Sequence, residues 1–338
     1  MNSCSFYDDR KEGVAGQPNP EAVFWRAAGP LAEAVTPMTQ QSPGPMSAPP
    51  FVSVIVPHFR DLVGLDLCLT ALVRQSYPRD CFEIVVADNA SPEGEDAVAS
   101  VVDNRARLTI VRERGAGAAR NGGARLARGD IFAFTDSDCQ PEADWLSEGV
   151  KGLAQSDFVG GRVKVLIRDP AAPTATEAFE ALFAFDNRAY VHRKGFTVTA
   201  SLFCARVLFE QMGGFVAAGV SEDVEWCHRA RAAGYRIGYA PNSVVGHPAR
   251  RTRPELLMKW RRIDAETFGL AMRRRSGAAI WLLRSLAMPF SAVAHTPKAL
   301  FATRSLTPGQ RLLAVGELFR LRFWRLGNRL SLLIASRR

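Results

Sequence analysis

The feature that most constrains the fold is a regular alternation of strand-like and helix-like segments in the first half of the chain. Apolar, largely β-branched runs at "FVSVIVP", "FEIVVAD", "LTIVRE" and "DIFAFTD" have the length of buried strands, and segments with helical spacing of apolar residues separate most of them. Strands that alternate with helices predict a parallel sheet with right-handed crossovers. The sequence therefore predicts an α/β fold in which helices flank a mainly parallel central sheet.

Polar breaks follow three of these strands at Pro57, Asp88 and Asp136. Ligands of such sheets bind beyond the carboxyl ends of the strands, so these breaks are expected to converge on one site. Asp136 and Asp138 stand on either side of Ser137, and two carboxylates so close destabilise a fold unless a cation lies between them. A solvated turn is the alternative for this segment taken alone. The convergence of three strand ends favours a ligand site.

Composition indicates a folded intracellular chain. Of 338 residues, 47% are hydrophobic and 23% are charged, as in globular proteins with a sizeable core. Six scattered cysteines without metal-finger spacing suggest free thiols in a reducing compartment. The amino terminus lacks the apolar stretch of a signal peptide, so we expect a cytoplasmic protein. Residues 1–49 end in a Pro/Gly/Ser/Gln-rich segment and are predicted to be disordered or weakly ordered.

Five segments carry a resemblance to a known family. They are "VSVIVPHFR", "FEIVVADNAS", "GAARNGGARLARGDIFAFTDSDCQPEADWL", "SLFCARVLFEQMGGF" and "VSEDVEWCHRARAAGYRI". In this order and spacing the chain resembles the family-2 glycosyltransferases over roughly residues 51 to 250. The resemblance implies a Rossmann-like GT-A domain over residues 50–250. It also implies transfer from a nucleotide-activated sugar with inversion at the anomeric carbon.

The resemblance also implies a donor site. Asp88 would accept a hydrogen bond from an N–H of the nucleobase, and Pro57 would shape the loop beneath the base. Uracil offers such an N–H and a UDP-sugar is favoured, but guanine and thymine offer one too. Asp136, Ser137 and Asp138 would form the family's DxD motif, in which Asp138 binds Mg²⁺ or Mn²⁺ on the diphosphate and Asp136 contacts ribose or a metal-bound water. His247 would complete the metal site. The alternatives are a helix cap for Asp88 and a surface position for His247.

On the acceptor side, the resemblance makes Asp223 the general base, with Glu222 and Trp226 lining the acceptor site. The alternative is that the two acids only stabilise the start of a helix. One departure is "PHFR" at residues 57–60, where many relatives read Pro-x-Tyr-Asn. No QxxRW motif of processive synthases is found, which favours transfer of one sugar per encounter.

The carboxy-terminal part of the chain is strongly basic. Residues 248–338 hold 19 Lys/Arg and 4 Asp/Glu, a net charge of +15, whereas the preceding 247 residues have a net charge of −6. Apolar residues recur at spacings of three and four from Leu312 to Leu333, with Arg322, Arg325 and Arg329 on another face. Residues 251–338 are therefore predicted to be a basic amphipathic helical tail that contacts an anionic membrane surface. The alternative is that the apolar stripe packs on the catalytic domain.

These observations predict a metal-dependent inverting glycosyltransferase. It would act on a lipid-linked or cell-envelope glycan in polysaccharide biosynthesis, from the cytoplasm and peripherally on the inner face of the cell membrane. No nucleic-acid partner is expected, because no segment matches a DNA- or RNA-binding motif. Two alternatives are a nucleotidyltransferase on a related fold and a non-catalytic membrane-peripheral protein that kept the fold.

Overall fold

A computed structural model describes residues 49–216, 221–272, 275–301 and 306–336. The prediction for residues 1–49 lies outside the described residues, except at residue 49. Residues 217–220, which precede the predicted base, also lie outside them.

Eight strands form one mixed sheet. They are β1 (Val52–His58), β2 (Phe82–Asp88), β3 (Arg107–Ile110), β4 (Ile131–Phe134), β5 (Gln140–Pro141), β6 (Phe158–Leu166), β7 (Leu202–Ala205) and β8 (Ile237–Pro248). The order across the sheet is β3-β2-β1-β4-β7-β6-β8-β5. β7 is antiparallel to both its neighbours and β5 is antiparallel to β8, while the other pairs are parallel. The predicted α/β fold with a mainly parallel sheet is confirmed.

Twelve helices are described. They are α1 (Leu62–Leu72), α2 (Glu95–Val102), α3 (Ala116–Leu126), α4 (Trp145–Gly152), α5 (Ala175–Phe183), α6 (Asn187–Ala189), α7 (Arg206–Gln211), α8 (Glu222–Ala232), α9 (Arg253–Met272), α10 (Gly277–Leu286), α11 (Met288–Leu300) and α12 (Pro308–Ala335).

The sheet has a hydrophobic core on each face, which explains why its strands are apolar throughout. On one face, Val54 of β1 packs with Leu69 of α1 and Trp145 of α4. On the other face, Phe132 of β4 packs with Phe209 of α7. This burial on both faces fixes the strand ends, and with them the polar residues that follow each strand.

Two segments differ in detail from expectation. The first strand does not end at Pro57 but continues to His58, with Pro57 paired to Ala87 of β2. Proline is tolerated there because β1 and β4 pair only up to Ile55, so no N–H is required on that side. The second difference lies between about Thr174 and Tyr190, where the sequence pattern predicts one helix, whereas α5 stops at Phe183 and the short helix α6 follows it.

The carboxy-terminal helices form a further core with α5. Phe179 of α5 packs with Leu256 of α9, Ala292 of α11, and Leu318 and Leu321 of α12. The buried face of α12 also includes Arg325 and Arg329, whose guanidinium groups bind Asp264 of α9. The apolar stripe predicted for α12 is therefore wrong in its orientation. Two of its arginines face inward, while Leu312 and Phe323 are exposed.

Candidate active site

The polar residues that follow β1, β2 and β4 meet at one edge of the sheet, as predicted. His58 and Asp88 pair across the ends of β1 and β2, and the DxD segment follows β4 on the other side of β1. The start of α1 comes close to this segment. A Cβ built on Gly64 would lie 3.3 Å from the Cα of Asp138. Glycine therefore allows the helix to approach the backbone of the candidate metal site.

Four side chains near this edge can offer ligand atoms to one ion: Asp136, Asp138, Cys139 and His247. All four ligand atoms lie within 4.8 Å of one another. Strand β5 explains how residues so far apart in sequence meet, because Gln140 pairs with Gly246 of β8, the residue before His247. The sheet therefore holds the segment after the DxD motif against the strand that carries the histidine.

The hydrogen-bonding state of His247 fits a metal ligand. Its Nδ1 lies 2.9 Å from the backbone oxygen of Pro248, which can only accept, so Nδ1 carries a proton. In the neutral ring, Nε2 then presents its lone pair 3.7 Å from Oδ2 of Asp138. Two acceptor atoms that face each other at this distance suit a cation between them.

The thiol of Cys139 is a poor candidate for the same ion. It is fully buried, and burial together with the charge of Asp138 raises its pKa well above the usual value. A protonated thiol does not bind a hard cation. Carboxylates and an imidazole remain, a donor set that suits Mn²⁺ and, through the carboxylates, Mg²⁺.

Asp88 is buried and already has several hydrogen bonds. Its Oδ1 accepts from Nδ1 of His58 at 2.8 Å and from the hydroxyl of Ser91 at 2.5 Å, and its Oδ2 accepts from the Ser91 N–H at 2.9 Å. Burial would raise the pKa of Asp88, but the bonds from His58 and Ser91 outweigh burial and lower it. One acceptor position remains on Oδ2 for a nucleobase N–H. The predicted contact of Asp88 with the base stays a prediction.

Arg120 joins the predicted donor and acceptor residues. One nitrogen of its guanidinium lies 2.5 Å from Oδ1 of Asp136, and the other lies 2.5 Å from Oε1 of Glu222. The side chain is 4% exposed, and it reaches this position because α3 packs tightly on the sheet. A Cβ on Gly123 of α3 would lie only 2.7 Å from Ile55 of β1. Burial disfavours the charged guanidinium, but Asp136 and Glu222 outweigh this and raise the pKa of Arg120.

The carboxyl of Asp223 has a pKa well above that of an ordinary aspartate. Burial, followed by the charge of Glu222, raises the pKa of Asp223 to about 7, against the opposing effects of the Val224 N–H and Arg120. The residue lies in the first turn of α8, whose dipole favours acids at this end. A carboxyl of this pKa can accept a proton from a hydroxyl and hold it.

Trp226 does not lie where the sequence suggested. Its side chain is 0% exposed and packs against Phe158, Phe209 and Phe215 in the core beneath α8. Three residues after Asp223, it points to the inner face of the helix and has no surface to offer an acceptor. Glu222 remains on the acceptor side, with its carboxylate held by Arg120.

Three residues of the site were missed in the sequence. Arg120 lies in one of the segments that resemble the family. A large charged residue among Gly and Ala is the signal that could have identified it. Asn121 holds Phe215 through both backbone atoms, at 2.8 and 2.9 Å, and so fixes the chain before residues 217–220. Glu266 of α9 accepts a hydrogen bond of 3.0 Å from Ser221, the residue before Glu222. No local pattern marks this last contact.

The fold and the site together define a nucleotide-sugar-dependent glycosyltransferase of the GT-A type. A family model, Glycosyl transferase family 2, matches residues 53–209. Glycosyltransferase AglE of Haloferax volcanii is 32% identical over 247 residues, which are 69% of this chain and 80% of that protein. The chain therefore belongs to the family-2 glycosyltransferases and is an enzyme of that class.

Two further comparisons extend over more of the chain. Pre-mycofactocin glycosyltransferase of Mycobacterium tuberculosis is 27% identical over 302 residues, 83% of this chain and 63% of that protein. Among solved structures, mannosyltransferase PcManGT from Pyrobaculum calidifontis in complex with GDP-Man and Mn²⁺ matches with a TM-score of 0.55 and 25% identity, over 94% of both chains. The match to PcManGT covers nearly all of both chains, and it supports the GT-A fold.

Proposed function

We propose that the protein is a metal-dependent, inverting glycosyltransferase in which Asp223 is the general base. It transfers a sugar from a nucleoside-diphosphate donor to a hydroxyl of a lipid-linked or cell-envelope glycan. The observation that carries the proposal is the guanidinium of Arg120, which lies 2.5 Å from both Asp136 and Glu222. A residue of the donor motif and a residue next to the base are thereby held at one site.

On the donor side, Asp138 and His247 would hold a divalent cation, with Asp136 beside them. When bound, the cation offsets the negative charge of the departing nucleoside diphosphate. The imidazole of His247 favours Mn²⁺ over Mg²⁺, because Mg²⁺ prefers oxygen ligands. Pro57, Asp88 and Ser137 lie buried at the same edge, where they would shape the nucleotide site from beneath its surface.

The reaction then needs one base and no covalent intermediate. The acceptor oxygen forms a bond to the anomeric carbon while its proton moves to a carboxylate oxygen of Asp223. The bond from the anomeric carbon to the diphosphate oxygen breaks on the opposite face, and its electron pair leaves with the nucleoside diphosphate. Glu222, held by Arg120, accepts a hydrogen bond from the acceptor sugar. Attack opposite the leaving group inverts the anomeric configuration.

The donor nucleotide follows from the chemistry of Asp88 and from the relatives. A single acceptor position on Oδ2 suits the N–H of uracil, which favours a UDP-sugar, and it also suits that of guanine. The PcManGT structure was solved with GDP-Man. GDP-mannose and UDP-sugars are therefore the first two donor classes to test.

The acceptor proposal rests on the basic carboxy-terminal part of the chain. A net charge of +15 over residues 248–338 suits the anionic inner face of a cell membrane. An enzyme held there from the cytoplasm meets acceptors that are anchored by a lipid. We place the protein peripherally on that face, acting on a lipid-linked glycan.

Calorimetric titration of GDP, UDP and dTDP, with Mn²⁺ and with EDTA, tests the donor site. One diphosphate should bind in the presence of metal, and the binding should be lost in Asp138→Ala but kept in Asp169→Ala, which removes an exposed carboxylate elsewhere. Failure of all three diphosphates to bind with metal would overturn the donor assignment. NMR of a transfer product then tests inversion, since retention of the donor's anomeric configuration would exclude the single-step mechanism.

A further inference from the structure

Exposed apolar side chains are concentrated on the helix pair α10–α11. Leu283 is 70% exposed, Phe290 is 76% exposed and Val293 is 62% exposed, and Leu286, Leu300 and Phe301 are exposed as well. In the described residues before Pro248, the large apolar side chains exposed in this way are only Val63, Leu67 and Val207. Exposed apolar patches of this kind mark sites of protein or membrane contact.

The opposite faces of α10 and α11 are packed on the protein. Trp281, Ser285, Ala292 and Ala299 are buried, and the Trp281 indole donates a hydrogen bond of 3.0 Å to the backbone of Arg329 in α12. The guanidinium of Arg329 lies 3.5 Å from the centre of the Trp281 ring. The apolar surface is therefore the permanent outer face of a helix pair that α12 holds in place.

The sequence that contains this helix pair carries charge of one sign. Between Glu266 and Glu317 the sequence holds seven Lys or Arg residues and no Asp or Glu. Arg284 and Lys298 are exposed on the helix pair itself. Apolar residues flanked by cations alone complement a lipid surface with anionic headgroups, because side chains enter the acyl region while the cations meet phosphates.

The geometry suits partial insertion. No single helix in the described ranges is long and apolar enough to cross a membrane. α10 and α11 reach the length and mean hydropathy of a membrane span only when they are taken together, and they are bent by 53° at the break between them. At about 1.5 Å per residue, each is shorter than the roughly 30 Å hydrocarbon core. Since one side of each helix stays on α12, the other can enter only the boundary between headgroups and acyl chains.

We propose that α10–α11 is a docking surface for an anionic lipid bilayer, into which the face of Leu283, Leu286, Phe290 and Val293 inserts in the plane of the membrane. The proposal deepens the membrane contact in the proposed function and rests on it. It also narrows that contact, which the sequence assigned to residues 251–338 on the amphipathic pattern of α12, because Arg325 and Arg329 of α12 are buried against Asp264. α12 anchors the docking surface and does not itself form it.

Flotation of the full chain with vesicles tests the docking surface. The vesicles are phosphatidylcholine alone or phosphatidylcholine with about one-third phosphatidylglycerol. We expect the wild type to float with the anionic vesicles and to remain bound in high salt, because inserted apolar side chains are not screened. The variant Phe290→Ser with Val293→Ser should lose about tenfold or more of this partition, because it removes two inserted apolar side chains.

Two double variants are matched controls. Val63→Ser with Val207→Ser removes exposed apolar side chains of the sheet domain and should leave flotation unchanged. Phe323→Ser with Ile334→Ser removes exposed apolar side chains of α12 and should also leave it unchanged. Loss of flotation in the α12 variant with retention in the α10–α11 variant would overturn the proposal and restore the membrane contact of α12.

Two other outcomes would also overturn it. A wild type that fails to float with anionic vesicles excludes the bilayer as the occupant. Sedimentation velocity that shows a dimer lost in Phe290→Ser with Val293→Ser, without flotation, would assign the surface to a second copy of the chain. None of these measurements involves a nucleotide or a sugar, so diphosphate binding by calorimetry separates failure of the docking surface from failure of the proposed glycosyl transfer.

Discussion

His247 and Asp138 face each other across 3.7 Å, imidazole Nε2 to carboxylate Oδ2, although 108 residues separate them in the chain. The proton on Nδ1 is bound by the Pro248 carbonyl, so the pair presents two acceptors to one point. A cation at that point would be a second link between the DxD segment and β8. The first link is the pairing of β5 with β8.

Removal of this histidine should weaken metal binding before it affects the fold. We expect His247→Ala to lower the affinity for Mn²⁺ in the presence of nucleotide by at least about tenfold, because the ion loses a ligand. Titration of free Mn²⁺ by electron paramagnetic resonance measures this directly. His228→Ala, which changes an exposed histidine on α8, is the control and should bind Mn²⁺ as the wild type does. Equal affinities in all three proteins would remove His247 from the metal site.

The pKa of Asp223 predicts a pH dependence of activity and of stability. Since this pKa is raised to about 7, kcat/KM should rise with pH up to about 7 and then level off as the base becomes ionised. Stability should change in the opposite sense. The contribution of the protonated carboxyl is complete below the ordinary pKa of 3.8 and is lost as the pH rises through about 7.

Asp223→Asn separates these two effects. Transfer should fall by roughly 10²- to 10⁴-fold while diphosphate binding is kept, because only the proton acceptor is removed. The melting temperature of the variant minus that of the wild type should be larger at pH 8 than at pH 5. A wild-type profile without inflection between pH 5 and 8, or a variant with unchanged rate, would reject Asp223 as the base.

Arg120 should matter through its charge and through its geometry. Arg120→Met leaves the carboxylates of Asp136 and Glu222 without their shared partner, and loss of one member of a buried ion pair costs about 3–5 kcal/mol. It also removes a charge that lowers the pKa of Asp223, so the inflection of the pH–rate profile should move to higher pH. Urea denaturation and the pH–rate profile measure the two effects.

Arg120→Lys is the informative control for this position. Lysine keeps the charge but cannot reach both carboxylates with two nitrogens. The inflection should therefore stay closer to its wild-type position in Arg120→Lys than in Arg120→Met, whereas the affinity of the acceptor should fall in both. An inflection that moves equally in the two variants would mean that the charge of Arg120 does not set the pKa of the base.

Asp264 should be the most sensitive position outside the active site. It is 0% exposed and binds both Arg325 and Arg329 of α12. Asp264→Asn leaves two buried guanidinium groups without a counter-charge and should lower the free energy of unfolding by about 3–5 kcal/mol. Lys151→Ala breaks an exposed ion pair with Glu148 and should leave the free energy of unfolding almost unchanged. Comparable urea midpoints for the two variants would contradict this role of Asp264.

Much of the sheet and part of the site could be predicted from local sequence. The strands are apolar on both faces and β-branched, and parallel connectivity places Asp88, Asp136 and Asp138 at one edge without further information. Asp223 and Glu222 were placed by resemblance, and the structure links Glu222 to the donor motif through Arg120. These predictions depend on short-range pattern together with a general rule of sheet geometry.

The errors arose where long-range pairing overrides periodicity. The arginines of α12 were predicted to belong to a helix that lies on an anionic membrane surface. Asp264, 61 residues before Arg325 and 65 before Arg329, binds both of them inside the protein. The resemblance assigned Trp226 to the acceptor site, whereas its phase on α8 directs it to Phe158 and Phe209. Neither partner could be identified from spacing within the helix itself.

Helix α9 contacts both α12 and the segment that begins α8. Asp264 holds the arginines of α12, and two residues later Glu266 accepts the hydrogen bond from Ser221 at the start of α8. The carboxy-terminal helices therefore cannot be replaced independently of the rest of the chain. A chimera that joins residues 49–250 to the helices of a relative must also bring a matching partner for Ser221, or the segment that carries the base loses a lateral support. Residues 49–250 and the carboxy-terminal helices are therefore expected to evolve together, because Glu266 links them through Ser221.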